Sequence, residues 1–210
     1  RSWCRDYKRP KSRFFSGLSS ENKSANRRGN RLSKTDDLFD FGFTNQPSTQ
    51  DYFLKLACKK VNAIAFEFIM DEYKQLSLVR LIGEIAGSVS ILYASELLAM
   101  SNGLMLGGIT GVRPTEVVIL GAGIVGEFAT KAAIGLGASV TVFDNSLSKL
   151  RRLHTLVDSR VPTSVIDPKE LTTSLRRADV VIGALPRLHL PPIVTEDMVM
   201  KMKKGSVIID

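Results

Sequence analysis

The pattern of hydrophobic and polar positions becomes regular beyond residue 114, where short apolar runs alternate with segments of helical periodicity. Some runs are continuous and rich in β-branched residues, as in Val117-Val118-Ile119-Leu120 and Val180-Val181-Ile182. Strands buried on both faces have this composition, and such burial is typical of parallel strands covered by helices. The sequence therefore predicts an α/β fold over residues 114–210, a Rossmann-type doubly wound parallel sheet.

The predicted elements alternate between strand and helix along this region. Two helix starts are well marked, by Asp167 followed by a proline and by Thr195 followed by two acidic residues. The expected strands are Glu116–Leu120, Ser139–Asp144, Val161–Ile166, Asp179–Ala184 and Ser206–Asp210. The expected helices are Ile124–Leu136, Ser146–Leu156, Pro168–Arg176 and Glu196–Met202.

A smaller helix–strand unit precedes this region. The pattern predicts a helix over Tyr52–Lys60 and a strand over Val61–Ile69. One such unit is too small to form a domain. Residues 48–76 are therefore interpreted as the remnant of a second, catalytic α/β domain.

Residues 77–113 are predicted to link the two parts. A long helix is expected over Leu78–Met100, and a Gly-rich segment that Pro114 ends follows it. Small side chains at near-helical spacing predict that another backbone approaches this helix closely, either in a sheet or between domains. These residues are Gly83, Ala86, Gly87 and Ser90.

The net charge of +8 is located almost entirely in the N-terminal tail. Residues 1–34 carry eleven Lys and Arg against two acidic residues, whereas the rest of the chain is nearly neutral. Residues 1–47 are predicted to be a disordered basic tail or a non-native leader, with a transit peptide as an alternative. A nucleic-acid-binding arm is disfavoured because aromatic residues are few. We expect no nucleic-acid partner.

The two cysteines, Cys4 and Cys58, have no metal-ligand spacing and indicate no disulfide framework. We therefore expect a reduced, cytoplasmic protein without a metal site. The longest apolar stretch, Ile82–Met100, contains Glu84 and Glu96. A transmembrane helix is not predicted, and neither is a membrane partner.

The chemistry-bearing motif lies between the first predicted strand and helix of the sheet. Gly121, Gly123 and Gly126 form a G-x-G-x-x-G fingerprint that follows an aliphatic strand and opens a helix, as a dinucleotide site requires. Gly121 permits the tight turn, Gly123 the approach of a pyrophosphate and Gly126 close helix–strand packing. The amides of Ile124 and Val125 at the helix start favour an anion.

An acidic residue ends the second predicted strand at the spacing expected of such a site. A carboxylate at Asp144 can accept hydrogen bonds from the adenosine ribose and would repel a 2′-phosphate. NAD is therefore preferred over NADP, although Lys149, Arg151 and Arg152 lie further along the chain. A purely structural role for Asp144, capping the next helix, is the alternative.

The end of the fourth predicted strand faces the same crevice if the sheet has the usual strand order. Small residues at Gly183 and Ala184 would leave room for a cofactor, and Leu185 and Pro186 begin the following loop. A histidine in that loop, His189, is interpreted as a surface residue because Leu and Pro surround it. The other histidine, His154, is expected to be solvated.

Several further segments of the sequence resemble the alanine dehydrogenase family. They include the fingerprint glycines and the ends of predicted strands. They are Glu84–Gly87, Leu106–Val112, Val118–Gly123, Val142–Asn145, Lys149–Arg151, Arg177–Ala184, Val194–Met198 and Met202–Ile208. The resemblance extends from about Val61 to Asp210, and the family includes the NAD-binding part of proton-translocating nicotinamide nucleotide transhydrogenase.

This resemblance implies an NAD-dependent oxidoreductase that deaminates L-alanine to pyruvate and ammonia. The partners it implies are a small amino-acid or 2-oxo-acid substrate and further copies in a homo-oligomer. Cofactor contacts carry over to Ile124, Val125, Asp144, Lys149 and the Leu185-Pro186 turn. With the fingerprint glycines and Ala184, these residues make up the expected cofactor site.

Departures from the family concern catalysis. By resemblance, the catalytic residues belong to segments before Val61 and after Asp210, so the chain is expected to be truncated at both ends and inactive alone. No catalytic residue is assigned. A Ser that contacts the nucleotide in the family is Gly83 here. A transhydrogenase α subunit and a non-catalytic NAD-binding protein are the alternative functions.

Overall fold

Five parallel strands form the central sheet of the C-terminal part of the chain, which confirms the predicted α/β fold. The structure is a computed structural model. It describes residues 37–39, 62–64, 68–157, 161–185 and 192–210. The chain divides into two units, Arg1–Leu78 and Val79–Asp210, and each is described by itself.

The elements are numbered in chain order. The strands are β1 (Asp37–Phe39), β2 (Asn62–Ile64), β3 (Glu116–Leu120), β4 (Ser139–Phe143), β5 (Thr163–Ser164), β6 (Val180–Gly183) and β7 (Val207–Ile209). The helices are α1 (Ser77–Asn102), α2 (Ile124–Gly135), α3 (Leu147–Leu156), α4 (Pro168–Arg177) and α5 (Glu196–Val199).

The strand order in the large sheet is β5-β4-β3-β6-β7, and all neighbours are parallel. The chain therefore runs outward from β3 in one direction and then crosses over to the other side, as in a Rossmann half. In the register of the sheet, Leu120 is opposite both Phe143 and Gly183. The carboxyl ends of the three central strands consequently finish level with one another.

Both faces of the sheet are covered by apolar side chains. On one face, α1, α2 and α3 contribute Ile91, Leu98, Ala129, Ala133 and Leu153 to the core, all at most 1% exposed. On the other face, Leu171 and Leu175 of α4 pack in a second cluster that contains Phe143 and Leu120. This burial on both faces explains why β3 and β6 are almost uninterrupted runs of apolar residues.

The long helix α1 buries one side and exposes the other. Its buried residues follow helical spacing and are Gly83, Gly87, Ile91, Ala94 and Leu98. Ala86, by contrast, is exposed. Among the described residues, α1 is the one helix that is long and apolar enough to cross a membrane by length and composition, which the sequence did not predict. Its outer side exposes Leu81, Ile85, Val89 and Leu92.

Four predicted elements of the second unit are shorter than expected by two residues or more, among them the strand predicted over Asp179–Ala184, which spans Val180–Gly183. The strand predicted over Val161–Ile166 is reduced to two residues, because β5 lies at the sheet edge and pairs with β4 alone. Pro162 lacks an N–H and contributes only its carbonyl, which accepts a hydrogen bond from Val142 N at 3.0 Å. The helix predicted over Glu196–Met202 ends at Val199, and the last strand spans Val207–Ile209.

In the first unit, β1 pairs with β2 in parallel, so Asp37–Phe39 forms a strand inside the segment predicted to be a tail. The helix predicted over Tyr52–Lys60 lies outside the described residues. Of the strand predicted over Val61–Ile69, Asn62–Ile64 form β2, whereas Phe68 and Ile69 lead into an exposed turn.

That turn is organised by Asp71. Its carboxylate accepts hydrogen bonds from the backbone amides of Tyr73 and Gln75, both at 2.9 Å, and from the Ser77 hydroxyl. The Ser77 hydroxyl, followed by the Gln75 amide, holds the pKa of Asp71 below its usual value of 3.8. Because Ser77 is the first residue of α1, this carboxylate also marks the beginning of that helix.

Candidate cofactor-binding site

The turn between β3 and α2 can be formed only with glycine at two of its positions. Gly121 has a φ of +113°, and a β-carbon there would lie 2.5 Å from the carbonyl oxygen of Ala184. A β-carbon on Gly126 would overlap the carbonyl oxygen of Gly121. The turn is held to the neighbouring strand by a hydrogen bond from Gly121 N to Phe143 O at 2.6 Å. Strand, turn and helix are therefore packed backbone to backbone.

Gly123 has open space around it. A β-carbon at this position would find no protein atom within 4 Å. Gly123 is the N-cap of α2 and provides no side-chain cap, although its carbonyl accepts the hydrogen bond of Glu127 N at 2.9 Å. The N–H groups at the start of a helix have no partner within the helix. The amides of Ile124 and Val125 at this helix start, called the cradle below, are thus groups that could donate to a phosphate.

Asp144 lies at the end of β4, beside this cradle, with only 4% of its side chain exposed. One carboxylate oxygen accepts a hydrogen bond from Ala122 N at 2.8 Å, and the other accepts one from Ser146 N at 2.7 Å. Lys149 Nζ lies 3.9 Å from Asp144 Oδ2. Each oxygen keeps a second lone-pair direction, so the carboxylate can stabilise the loops and still accept from a ribose hydroxyl.

The end of β6 closes the other side of the turn. Ala184 N donates to Leu120 O at 2.7 Å, and both Ala184 and Leu185 are partly exposed. Ala184 has a small side chain, and its backbone lies next to Gly121. Pro186 and His189 lie outside the described residues, so the expected contact at Pro186 stays a prediction.

One charged residue of the site was missed by the sequence analysis. Glu127 follows the last glycine of the fingerprint and is only 2% exposed. Its carboxylate binds Lys131 Nζ at 2.7 Å and faces Arg152 Nη1 of α3 at 3.4 Å. An acid in the first turn would oppose an anion at the cradle, and these two cations offset its charge. The sequence signal that could have identified Glu127 is its position as the one acidic residue in an otherwise apolar first turn of α2.

Two further titratable residues can be placed relative to the site. Asp210 extends from the end of β7 toward β6, so that a β-carbon on Gly183 would lie 2.6 Å from Asp210 Oδ1. His154 is exposed, as predicted, and its Nε2 lies 2.9 Å from Thr163 Oγ1, away from the fingerprint. Within the described part of the chain, no cluster of three or more His, Cys, Asp or Glu could hold a metal ion.

The residues present fit a dinucleotide. An uncapped helix start above an open glycine suits the diphosphate, and a buried carboxylate one strand away suits the adenosine ribose. The end of β6 lies beside the turn and carries the small residues Gly183 and Ala184. Of the residues expected from the sequence, the described ones converge on one edge of the sheet, with Lys149 at its rim.

Comparisons with known proteins agree on one family. The model of the alanine dehydrogenase/PNT C-terminal domain matches residues 90–210. The chain is 39% identical over 160 residues to alanine dehydrogenase of Staphylococcus haemolyticus, covering 74% of this chain and 43% of that protein. It is 40% identical over 157 residues to alanine dehydrogenase 2 of Staphylococcus aureus strain USA300, with 72% and 42% covered. The chain thus spans less than half the length of these relatives.

Solved structures show the same likeness. An L-alanine dehydrogenase superimposes with a TM-score of 0.72 at 34% identity, over 84% of this chain and 50% of that one. A transhydrogenase from Sinorhizobium meliloti superimposes with a TM-score of 0.65 at 20% identity, over 81% and 51% of the two chains. At that lower identity the second match shows a shared fold alone.

Proposed function

The chain belongs to the alanine dehydrogenase/PNT family, and on that premise we propose that it binds NAD at the carboxyl edge of its sheet. The observation that carries the proposal is the open helix start at Gly123 beside the buried carboxylate of Asp144. One group suits the diphosphate and the other the adenosine ribose. Asp144 also holds the fingerprint turn, whereas the open space at Gly123 has no such structural role.

Each residue of the proposed site has a separate task. The amides of Ile124 and Val125 donate to the diphosphate, which the positive end of the α2 dipole also attracts. Asp144 accepts from the ribose hydroxyls and disfavours a 2′-phosphate, so that NAD is preferred over NADP. Lys149 holds a positive charge at the rim of the adenosine side. Ala184 and Leu185 border the nicotinamide side, where the bound cofactor would supply the hydride acceptor, and a contact at Pro186 is expected from the resemblance.

For the whole protein we propose the oxidative deamination of L-alanine to pyruvate and ammonia. The support is family membership and the alanine dehydrogenases at 39% and 40% identity, since the chain itself spans less than half of such proteins. We assign no catalytic proton-transfer role to any of its residues. These 210 residues are therefore expected to bind the cofactor and not to turn over alanine.

Two other functions are separable from this one. The structural match at 20% identity shows only that a transhydrogenase shares the fold, and a transhydrogenase α subunit would show hydride exchange between nicotinamide cofactors. A non-catalytic NAD-binding protein would stay inactive with alanine in every longer form of the chain. An alanine-dependent increase in NADH absorbance by a longer form would support the dehydrogenase and contradict both alternatives.

The test of cofactor binding is a titration of the full 210-residue chain with NADH and NADPH, followed by nicotinamide fluorescence. We expect saturable binding that prefers NADH. Absence of binding by a chain that shows cooperative thermal unfolding would overturn the proposal. Adenosine is a useful competitor, because it occupies the Asp144 side of the crevice without a diphosphate.

We further propose a cytoplasmic homo-oligomer that acts on a small amino-acid or 2-oxo-acid substrate, without a nucleic-acid or membrane partner. Family membership supports the substrate class. Sedimentation velocity over a range of concentrations measures the association of copies. A monomer at all concentrations would contradict the oligomer, and co-sedimentation with lipid vesicles would contradict the absence of a membrane partner.

A further inference from the structure

Helix α1 crosses the first turn of α2 at two glycines that are one helical turn apart. A β-carbon on Gly87 would overlap the carbonyl oxygen of Val125 and lie 2.9 Å from Ala129 N. A β-carbon on Gly83 would lie 3.1 Å from Ile124 Cγ2. The two helices therefore meet at the very residues whose amides form the phosphate cradle.

Gly87 contacts backbone atoms of α2, which cannot move away by a change of rotamer as a side chain can. Val125 and Ala129 are four residues apart in α2, the spacing at which a helical carbonyl and amide are hydrogen-bonded. A methyl group at position 87 would press on this pair from outside the helix. Relief would require either the first turn of α2 or the whole of α1 to move.

Movement of α1 is opposed at its other end. Ser101 Oγ donates to Gly205 O at 3.1 Å, and Asn102 Nδ2 donates to Lys204 O at 3.2 Å. Between these bonds and the glycines, Ala94 and Leu98 are fully buried against the sheet. The first turn of α2 has no side-chain cap of its own. A shift of α1 would therefore strain these hydrogen bonds and this packing, whereas a shift of the first turn of α2 would move the Ile124 and Val125 amides.

We propose that Gly87, assisted by Gly83, is a positioning residue for the cofactor diphosphate. By keeping α1 in backbone contact with Val125, it sets the direction of the Ile124 and Val125 amides without touching the ligand. This inference rests on the proposed binding of NAD. It assigns Gly87 a role in cofactor positioning that the glycine fingerprint itself does not include.

The experiment compares Gly87→Ala with Gly135→Ala in the full chain. Gly135 receives the same methyl group in α2, but a β-carbon there meets no atom within 4 Å. We expect Gly87→Ala to bind NADH and ADP about tenfold or more weakly, since a charge-assisted hydrogen bond is weakened. Adenosine binding and the control variant should be unchanged. A merely structural role would lower the melting temperature without this distinction between ligands.

A direct readout is the NMR chemical-shift change of the Ile124 and Val125 amides on titration with ADP. It should be large in the wild type and much reduced in Gly87→Ala. Equal ADP affinity and equal shift changes in the two proteins would overturn the inference while leaving NAD binding intact. Failure of the wild type to bind NADH would instead overturn the proposed function, and this inference with it.

A second pair of variants covers the case in which Gly87→Ala does not fold. Gly83→Ala presses only on the Ile124 side chain, so it should weaken ADP binding by a smaller factor, about threefold. In an Ile124→Ala background, which removes the opposing methyl group, the same substitution should have no effect. The same loss in both backgrounds would contradict a positioning role for the α1 contact.

Discussion

The carboxylate of Asp144 accepts a hydrogen bond from the amide of Ala122, inside the fingerprint turn, at 2.8 Å. The residue expected to read the cofactor therefore also holds the turn that cradles it. Loss of NADH binding on replacing Asp144 would not separate these roles. The ratio of NADPH to NADH affinity separates them, because a distorted turn would weaken the binding of both cofactors alike.

We predict that Asp144→Ala weakens NADH binding and raises the ratio of NADPH to NADH affinity about tenfold. The physical reason is that removing the carboxylate removes repulsion of the 2′-phosphate and leaves the positive charge of Lys149 beside it. Parallel fluorescence titrations with the two cofactors measure the ratio. Lys149→Gln is the control and should lower it. An unchanged ratio in Asp144→Ala would assign this carboxylate a purely structural role.

Gly123 and Gly126 should respond differently to the same substitution. Gly123→Ala adds a methyl group where no protein atom lies within 4 Å, so the free energy of unfolding should be nearly unchanged while NADH binding is largely lost. Gly126→Ala brings a β-carbon onto the Gly121 carbonyl, which should destabilise the fold by about 1–3 kcal/mol. Thermal unfolding with and without NADH measures both effects. Normal NADH affinity in Gly123→Ala would place the diphosphate elsewhere.

The ion pair of buried Glu127 and half-exposed Arg152 should respond differently to mutation of its two members. Arg152→Met leaves Glu127 Oε2 buried without its charged neighbour, which should cost about 1–3 kcal/mol of unfolding free energy. Glu127→Leu removes the buried charge itself and leaves two half-exposed cations free to be solvated. That variant should be close to neutral or more stable. Equal losses in the two variants, measured by urea denaturation, would speak against this explanation.

Asp71 should stabilise the beginning of α1 in a pH-dependent way. Its pKa is lowered in the folded chain, chiefly by the Ser77 hydroxyl, so its contribution is complete above the usual value of 3.8. The contribution is lost as the pH falls through the lower pKa of the folded state. An NMR titration of the Asp71 carboxyl should show this, and Ser77→Ala should move the pKa upward. An ordinary pKa in the wild type would contradict the hydrogen bonding described.

Much of the sheet could be predicted because its central strands are buried on both faces. Glu116–Leu120 was predicted at the observed bounds, and β4 was predicted to within one residue. The outer elements were predicted too long, since apolar residues continue beyond the last ladder pair of β5. Helix α5 was overextended for a different reason, because a single turn has little stability of its own.

The predicted fingerprint, carboxylate and β6 end were brought together because parallel strands finish at one edge of the sheet. The sequence could not predict how each helix is rotated about its own axis or where the helices cross one another. The contact of Glu127 with Arg152 depends on how α2 faces α3. The partner of the small residues on α1 likewise depends on where α1 crosses, and Ala86 proved to lie on the exposed side.

The bonds from Ser101 and Asn102 to the loop before β7 join residues about one hundred positions apart in the sequence. Contacts of such separation form late, because the entropy of closing a long loop must first be overcome. During synthesis, the first four strands of the sheet leave the ribosome before residues 204 and 205 can lock α1 in place. The nascent chain thus carries a complete fingerprint for some time before α1 is held at its carboxyl end.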